Sequence, residues 1–284
     1  MSSSSKSFAA EDWEALRRLR AAFLDGTAGD HDYWRTERDL ERYDATFGQR
    51  IRWKWDYVLR ELKQRGWSPP AGNVLDWGCG SGVAGEAFGA THVWDRSRLA
   101  MDFASRKLGA KIGIPDEIGT LLVSHVLTES SEALAVAGRA TAVIWVEPGT
   151  YNASRKLIAL RERLREQFHV VAPCTHQAAC GMLTAENDRH WCHHFAPSPP
   201  EVFRDGDWAR FAKLAGIDLR SLPVSYLVLD KRPVALSGVQ EIGRARVYKA
   251  HALVLSCDAS GVRERRVTKR DEPEEFRRLK KAGK

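Results

Sequence analysis

Four cysteines in the second half of the chain are candidate metal ligands. Cys174, Cys180 and Cys192 fall within 19 residues, and Cys257 ends a later apolar segment. Four thiolates can hold a tetrahedral zinc ion or an iron–sulfur cluster. The spacings are wider than the C-x2-C pairs of zinc ribbons, so spacing alone leaves open that these are unrelated buried cysteines. The fifth cysteine, Cys79, lies in a glycine-rich segment and is not expected to be a ligand. Histidines are interleaved with the cluster: His176, His190, His193 and His194.

A glycine-rich segment, which we call the glycine loop (residues 76–82, DWGCGSG), follows an apolar run and precedes a helical one. Glycines let the backbone approach a ligand closely, and the following helix N-terminus presents free N–H groups. Asp95 ends the next apolar run, where a carboxylate is well placed to accept hydrogen bonds from ribose hydroxyls. The candidate cofactor-binding residues here are Asp76, Gly78, Gly80, Gly82 and Asp95.

The glycine spacing separates two classes of nucleotide ligand. It is G-x-G-x-G preceded by aspartate, whereas the dinucleotide pattern is G-x-G-x-x-G. The loop therefore resembles motif I of S-adenosylmethionine-dependent methyltransferases more than an NAD site. A strand-to-helix turn without a ligand is the alternative.

Two further candidates lie near later strand ends. His125 follows a third apolar run and Glu147 ends a fourth, and open α/β sheets bind ligands at the carboxyl ends of their strands. His125 could act as a base, but a hydrogen-bonded structural histidine fits the pattern equally well. The Asn/Asp-Pro-Pro-aromatic tetrapeptide of amino-group N-methyltransferases is missing. The sequence therefore leaves the catalytic residues unknown.

The elements that must position these residues alternate between strand and helix. Predicted strands cover residues 74–76, 91–95, 120–124, 142–146 and 168–172, with helices at 83–89, 97–108, 128–138 and 154–167 between them. This alternation favours a Rossmann-like α/β fold with a parallel sheet and helices on both faces. The segment between residues 110 and 120 is short, so we expect a reduced third strand. Late strands are predicted at 226–229 and 252–256.

Composition divides the chain into four regions. They are a helical N-terminal cap (1–70), a Rossmann-like domain (71–172), a Cys-rich region with late strands of the sheet (173–262) and a basic C-terminal tail (263–284). The cap is rich in Arg and aromatic residues. We interpret it as helices packed on the next domain, and the alternative is a nucleic-acid-binding face. Five of the seven net positive charges lie in the last 22 residues. Such a tail either contacts an acidic partner or is a solubilising end.

Composition also excludes several classes of protein. With 43% hydrophobic and 29% charged residues, the chain is neither disordered nor collagen-like nor membrane-embedded. Acids near the N-terminus and the lack of an apolar core there argue against a secretory signal and, less firmly, against a transit peptide. We therefore expect a cytoplasmic protein, with the mitochondrial matrix as the alternative, and no membrane partner. A monomer is favoured, although the sequence does not determine the oligomeric state.

Several segments together resemble one family, the methyltransferase-like proteins of the mitochondrial small ribosomal subunit and their bacterial relatives. The resemblance covers roughly residues 70–270, and the segments that carry it are residues 75–82 (LDWGCGSG), 123–129 (VSHVLTE), 146–149 (VEPG), 171–176 (VAPCTH), 191–193 (WCH), 254–257 (VLSC) and the basic 263–266 (RERR). The departures are a polar insert at 184–190, a second histidine after Cys192 and the short third-strand region.

The resemblance implies a Rossmann-like methyltransferase domain with a four-cysteine [4Fe-4S] site, or zinc in its place. By position the ligands would be Cys174, Cys180, Cys192 and Cys257. It also implies association with the small ribosomal subunit or its rRNA. Beside this resemblance, phosphate binding becomes the better interpretation of the basic segment. Its candidate RNA-binding residues are Arg263, Arg265, Arg266, Lys269 and Arg270.

The preferred function is thus that of an S-adenosylmethionine-binding factor, leaning towards an active methyltransferase, that acts on the small subunit or its rRNA. One alternative is a non-catalytic ribosome-assembly or RNA-binding protein that retains the fold. The other is a small-molecule methyltransferase with a structural zinc.

Overall fold

The computed structural model describes residues 8–24, 32–126 and 130–282. Its helices are α1 (Ala10–Leu24), α2 (Glu37–Tyr43), α3 (Gln49–Gln64), α4 (Val83–Phe88), α5 (Arg98–Leu108), α6 (Ser130–Arg139), α7 (Tyr151–Leu164), α8 (Gly206–Ala215) and α9 (Pro273–Ala282), with a π-helical turn (Asp44–Gly48) between α2 and α3. Its strands are β1 (Val74–Trp77), β2 (His92–Trp94), β3 (Lys111–Ile112), β4 (Ile118–Ser124), β5 (Ala140–Pro148), β6 (His169–Ala172), β7 (His194–Ala196), β8 (Leu222–Asp230), β9 (Gln240–Val247), β10 (His251–Asp258) and β11 (Gly261–Thr268). The start of the helix predicted from residue 128 lies outside the described residues. No helix within the described ranges is long and apolar enough to cross a membrane.

The main sheet has the strand order β3-β2-β1-β4-β5-β8-β6, with β7 paired to β8. Strands β1 to β5 are parallel, and β8 runs antiparallel between β5 and β6. The parallel strands read as continuous apolar runs because helices cover both faces. The chain reverses its direction of travel across the sheet between β1 and β4, and this switch point opens a crevice at the carboxyl ends of the strands. The order confirms the predicted Rossmann-like α/β fold, and the two-residue β3 confirms the reduced third strand.

Helix α3 covers one face of the main sheet instead of lying beside it as a cap. Its apolar stripe, including Trp55 and Val58, packs in one core with strand residues such as Leu122 and Ile144. Helices α6 and α7 cover the opposite face. Residues 49–64 therefore share a core with the sheet, and the predicted division at residue 70 cuts through that core.

The C-terminal residues form a second sheet. Strands β9, β10 and β11 are antiparallel, in the order β11-β10-β9, and α9 packs on one face. Two predictions are therefore wrong. Residues 252–256 form a strand of this second sheet, not of the main one, and residues 263–282 of the predicted tail form most of β11 and all of α9. The reason lies in a few apolar side chains among the charges, since Val267, Phe276 and Leu279 are buried against Ala252 and Val254.

Candidate functional site

The glycine loop joins β1 to α4 in a conformation that favours glycine. Gly78, Gly80 and Gly82 have φ of +70°, +49° and +76°, a region that costs other residues about 1–2 kcal/mol. A Cβ atom at Gly78 would lie 2.8 Å from Cγ1 of Val126. The loop therefore presses directly on the turn that follows β4, and larger residues would separate the two.

Asp76 is buried beneath the glycine loop and has an unused acceptor. Its Oδ2 accepts a 2.8 Å hydrogen bond from the Gly85 N–H in α4. Its Oδ1 is buried with no hydrogen-bond partner among the described residues. Burial raises the pKa of Asp76 to about 7, against the lowering effect of the Gly85 N–H, and the Asp95 charge raises it further. Asp76 thus fixes the start of α4 and keeps one oxygen for another donor.

Asp95 ties the end of β2 to the glycine loop. Its Oδ2 accepts from the Gly80 N–H and its Oδ1 from the Ser97 N–H, each at 2.9 Å. Burial raises the pKa of this carboxyl, opposed by both N–H donors. Strands β1 and β2 pair in parallel, with Asp76 opposite Val93. This register brings the end of β2, and therefore Asp95, beside the glycine loop.

A short segment, which we call the strap (residues 32–36), covers the glycine loop. The buried Trp34 ring approaches within 3.7 Å of the position that a Gly80 Cβ would take. Asp32 Oδ2 accepts a 2.7 Å hydrogen bond from Ser97 Oγ, and Arg18 donates to the Tyr33 carbonyl at 2.8 Å. The cavity enclosed by the strap, the loop and the turn after β4 has a volume of only about 40 Å³.

The turn after β4 carries a strained and unpaired histidine. His125 has φ of +59°, and no other non-glycine residue in the described ranges has a positive φ. Its Nε2 is buried without a hydrogen-bond partner in that part of the chain. Burial holds the pKa of His125 well below its ordinary value, and the nearby Lys54 charge lowers it further, so the ring is neutral. Backbone strain of this kind is retained at functional sites.

Glu147 supports this turn from the end of β5. Its Oε1 accepts from the Val126 N–H at 3.1 Å and from Trp145 Nε1 at 2.8 Å. The carboxylate is 2% exposed. Glu147 therefore holds the His125 turn in place, whereas its predicted role in binding a cofactor directly stays a prediction.

The four clustered cysteines come together between the two sheets. Cys174 follows β6, Cys180 and Cys192 lie in the connection to β7, and Cys257 lies in β10. Burial raises the pKa of the Cys192 thiol well above its ordinary value, and the charges of the other three raise it further. All four sulfur atoms are thus within electrostatic range of one another.

A buried arginine and a histidine border this cysteine cluster. Arg161, 2% exposed, donates to the His176 and Ala178 carbonyls at 3.3 and 2.8 Å, and its charge interacts with Cys174 and Cys180. His176 Nε2 lies 3.4 Å from Cys257 Sγ. Across the described stretches, no three or more His, Cys, Asp or Glu residues are arranged to hold a single metal ion.

The five candidate RNA-binding residues divide into two sets. Arg263 pairs with Asp258 at 2.6 Å, and Arg265 pairs with Glu272 at 2.7 Å. The side chains of the others form no ion pair with any described residue and are exposed: Arg266, Lys269 and Arg270. Only this second set is free to neutralise an external phosphate.

Most of these site residues lie in a stretch that a known family shares. A family model described as mitochondrial small ribosomal subunit Rsm22 matches residues 90–283, which is more than half of the chain. The chain belongs to the Rsm22 family. The stretch that matches Rsm22 includes Asp95, the four clustered cysteines and the basic strand β11, whereas the glycine loop precedes it. No curated protein matches the chain.

Solved structures similar to this Rsm22-family chain include several methyltransferases. The plantazolicin methyltransferase BpumL is 12% identical over 78% of this chain and 97% of its own, with a TM-score of 0.40. Magnesium protoporphyrin IX methyltransferase from Synechocystis PCC 6803 is 14% identical over 80% and 100%, with a TM-score of 0.39. The 16S rRNA methylase RmtB is 18% identical over 59% and 71%, with a TM-score of 0.33. None of these three scores reaches 0.5, so the fold assignment depends on the strand order of the sheet itself.

The structure of this Rsm22-family chain adds two features that the sequence analysis missed. One is the strap. The adjacent aromatic residues Tyr33 and Trp34 were the feature of the sequence that could have indicated a segment packed on the fold. The other is Lys54, which lies in the apolar stripe of α3, three residues after Ile51 and next to Trp55. A lysine at a core-facing helical position was a detectable sign of a buried charge.

Proposed function

We propose that this protein is an S-adenosylmethionine-binding, methyltransferase-like factor of the small ribosomal subunit that acts on its rRNA and carries an iron–sulfur cluster. The observation that carries the proposal is the glycine loop at the switch point of the sheet, with the buried Asp76 and the partly buried Asp95 hydrogen-bonded around it. The Rsm22 family membership supports the ribosomal part.

The residues of the cleft suit the cofactor. The positive-φ glycines carry no side chain that would keep a ligand from the backbone, and Asp95 lies after β2, where a carboxylate can accept hydrogen bonds from ribose hydroxyls. Oδ1 of Asp76 accepts no hydrogen bond from a described residue and can take a further donor. When bound, S-adenosylmethionine supplies a methyl group activated by its sulfonium. The chain's own part is to position the acceptor and exclude water.

The four thiols suit an iron–sulfur cluster. They converge from one loop and from β10, they are partly buried, and Arg161 places a positive charge beside them. A cluster here would join the main sheet to the second sheet, so its binding energy would contribute directly to folding. Cysteine ligands of this kind need a reducing compartment, and both the cytoplasm and the mitochondrial matrix are reducing. The family description names the mitochondrial small ribosomal subunit.

A non-catalytic assembly factor is the second candidate, and the closed cleft favours it. A cavity of about 40 Å³ is far below the roughly 300–1,000 Å³ of small-molecule sites. A cofactor enters only when the strap moves, and a factor that keeps its strap closed would bind the ribosome without transferring methyl groups.

Sedimentation with purified small ribosomal subunits tests the proposal and separates the two candidates. The anaerobically purified full chain is incubated with subunits and methyl-labelled S-adenosylmethionine. We expect the protein to sediment with the subunits and label to appear in the rRNA. Sedimentation without label would favour the non-catalytic factor, and no sedimentation would contradict both.

Removing the unpaired basic side chains should weaken RNA binding. Replacing Arg266, Lys269 and Arg270 together by glutamine should flatten the slope of log affinity against log salt by about 2–3, because each lost phosphate contact removes about 0.7–0.9 of slope. Affinity measured by fluorescence anisotropy at several salt concentrations checks this. The charge-matched control replaces three exposed residues elsewhere, Lys111, Arg163 and Lys213, and should leave the slope unchanged. Equal slopes in both variants would show that β11 and the turn after it do not contact RNA.

Loosening the strap should speed cofactor entry. Asp32→Ala removes the hydrogen bonds from Ser97 Oγ and from the Trp34 N–H, a loss of at least about 1 kcal/mol, so association of S-adenosylmethionine should be at least about five-fold faster. Stopped-flow tryptophan fluorescence measures this rate, since Trp34 lies in the strap. The exposed Asp116→Ala serves as the control. An association rate unaffected by Asp32→Ala would mean that the strap does not limit entry.

A further inference from the structure

Lys54 is a buried lysine that forms no ion pair with any described residue. It is 8% exposed and lies on α3 between the buried residues Ile51 and Trp55. Trp55 Nε1 donates a 3.0 Å hydrogen bond to Ser124 Oγ, which fixes this stretch of α3 above the carboxyl end of β4. Burying an ammonium group is costly unless it is paired. The charged form of Lys54 is therefore stable only beside an anionic partner.

The charged and titratable groups around Lys54 do not supply that partner. Arg50, one turn earlier on α3, repels the ammonium, and the neutral His125 faces it from the turn after β4. Glu147 at the end of β5 attracts it, but no ion pair joins the two side chains, and Oε1 of Glu147 accepts from the Val126 N–H and Trp145 Nε1. Within the described part of the chain, Lys54 forms no hydrogen bond or ion pair.

The cleft under the strap lies next to this lysine. Ile51, one turn before Lys54 on the same helical face, lines the cavity together with Ser124, His125 and the glycine loop. Lys54 does not itself line the cavity, so an anionic group of a ligand would reach its amine by extending past Ile51 and His125. S-adenosylmethionine carries one anionic group, the carboxylate of its amino-acid portion.

We propose that Lys54 is the residue that binds the carboxylate of the cofactor in this cleft. The inference depends on the proposed function, since it requires that the cleft takes S-adenosylmethionine. Lys54 would bind an anionic oxygen, and an RNA phosphate carries such an oxygen as well as the carboxylate of the cofactor. The test is therefore carried out without RNA.

Cofactor binding should then be coupled to proton uptake. Burial, with a smaller contribution from Arg50, lowers the pKa of Lys54 to about 7, and Glu147 opposes the shift. The amine is therefore largely deprotonated above pH 7 in the free protein, and a carboxylate partner restores the ammonium. Linkage predicts that proton uptake is small well below pH 7 and grows towards one proton per ligand as the pH rises above 7.

Calorimetry with three ligands tests the inference on the full chain with its metal site intact. S-adenosylmethionine and S-adenosylhomocysteine carry the carboxylate, and 5′-methylthioadenosine lacks it. Lys54→Met should weaken the first two by at least ten-fold, abolish the dependence of binding enthalpy on buffer ionisation at pH 8, and leave methylthioadenosine affinity unchanged. Lys54→Arg should keep the affinity but lose the proton uptake, because arginine stays protonated. Lys63→Met, at an exposed position on the same helix, should behave as the wild type.

Each failure has a distinct meaning. If the wild type binds none of the three ligands, the proposed function itself is overturned. If the wild type binds them but Lys54→Met changes neither affinity nor proton uptake, the inference about Lys54 is overturned. Equal losses for S-adenosylhomocysteine and methylthioadenosine would also overturn it, because the variant would then have damaged the cleft and not a carboxylate contact.

Discussion

Gly80→Arg should abolish S-adenosylmethionine binding, with a rise in Kd of at least about 100-fold. Gly80 has φ of +49° and lies under the strap, where the Trp34 ring is 3.7 Å from the position of a new Cβ. An arginine side chain there would occupy the space that the cofactor needs, in a cavity of only about 40 Å³. Isothermal titration calorimetry on the wild type and the variant measures the effect.

Gly109→Arg is the matched control for this loss of binding. Gly109 also has a positive φ, +67°, and ends α5, but a Cβ there would meet no atom within 4 Å. The two variants therefore carry similar backbone strain, and their melting temperatures should fall by similar amounts. Only Gly80→Arg should lose the cofactor. Wild-type affinity in Gly80→Arg would show that the glycine loop is not the binding site.

Cys180→Ser should remove the iron–sulfur cluster. The wild type, purified without oxygen, should be brown and hold about four iron and four sulfide per chain, and the variant should hold less than one of each. The variant should also melt at a lower temperature, because the cluster would tie the loop around Cys180 to Cys257 in the second sheet. This loop already packs closely on β11, since a Cβ at Gly181 would lie 2.8 Å from the Val262 nitrogen.

Cys79→Ser is the control for cluster loss. Cys79 is buried in the glycine loop and belongs to a different core cluster from Cys180, Cys192 and Cys257. Its replacement should leave iron and sulfide unchanged. One zinc per wild-type chain with no sulfide would identify the metal as zinc, and no metal at all in anaerobic protein would contradict the metal site.

Local patterns accounted for most of the fold. The apolar runs that became β1, β4 and β5, and the helical stripes between them, were visible because a parallel strand buried on both faces has a continuous apolar sequence. The same patterns misassigned the C-terminus. In β11 and α9 only a few apolar side chains occur among many charges, and they gain burial only when Val267 meets Phe276 and Leu279.

The candidate site was predicted only where its residues follow strands. Asp76 lies next to the last residue of β1 and Asp95 directly follows β2, and parallel pairing brings such strand ends to one edge of the sheet. By contrast, the strap over Gly80 and the position of Lys54 beside the His125 turn depend on contacts between segments far apart in sequence. Such contacts produce no periodic pattern of apolar residues in the sequence.

The sequence by itself thus determined which residue types are available and where the strands and their loops lie, because propensity and hydrophobic period are local properties. Only the tertiary structure decided that the basic segment is a folded strand and helix, that four cysteines converge between two sheets, and that a buried lysine that forms no ion pair with the described residues lies beside the cleft. The physical reason is that burial and electrostatic environment arise from packing between distant segments, and it is burial that turns an ordinary lysine or thiol into a candidate functional group.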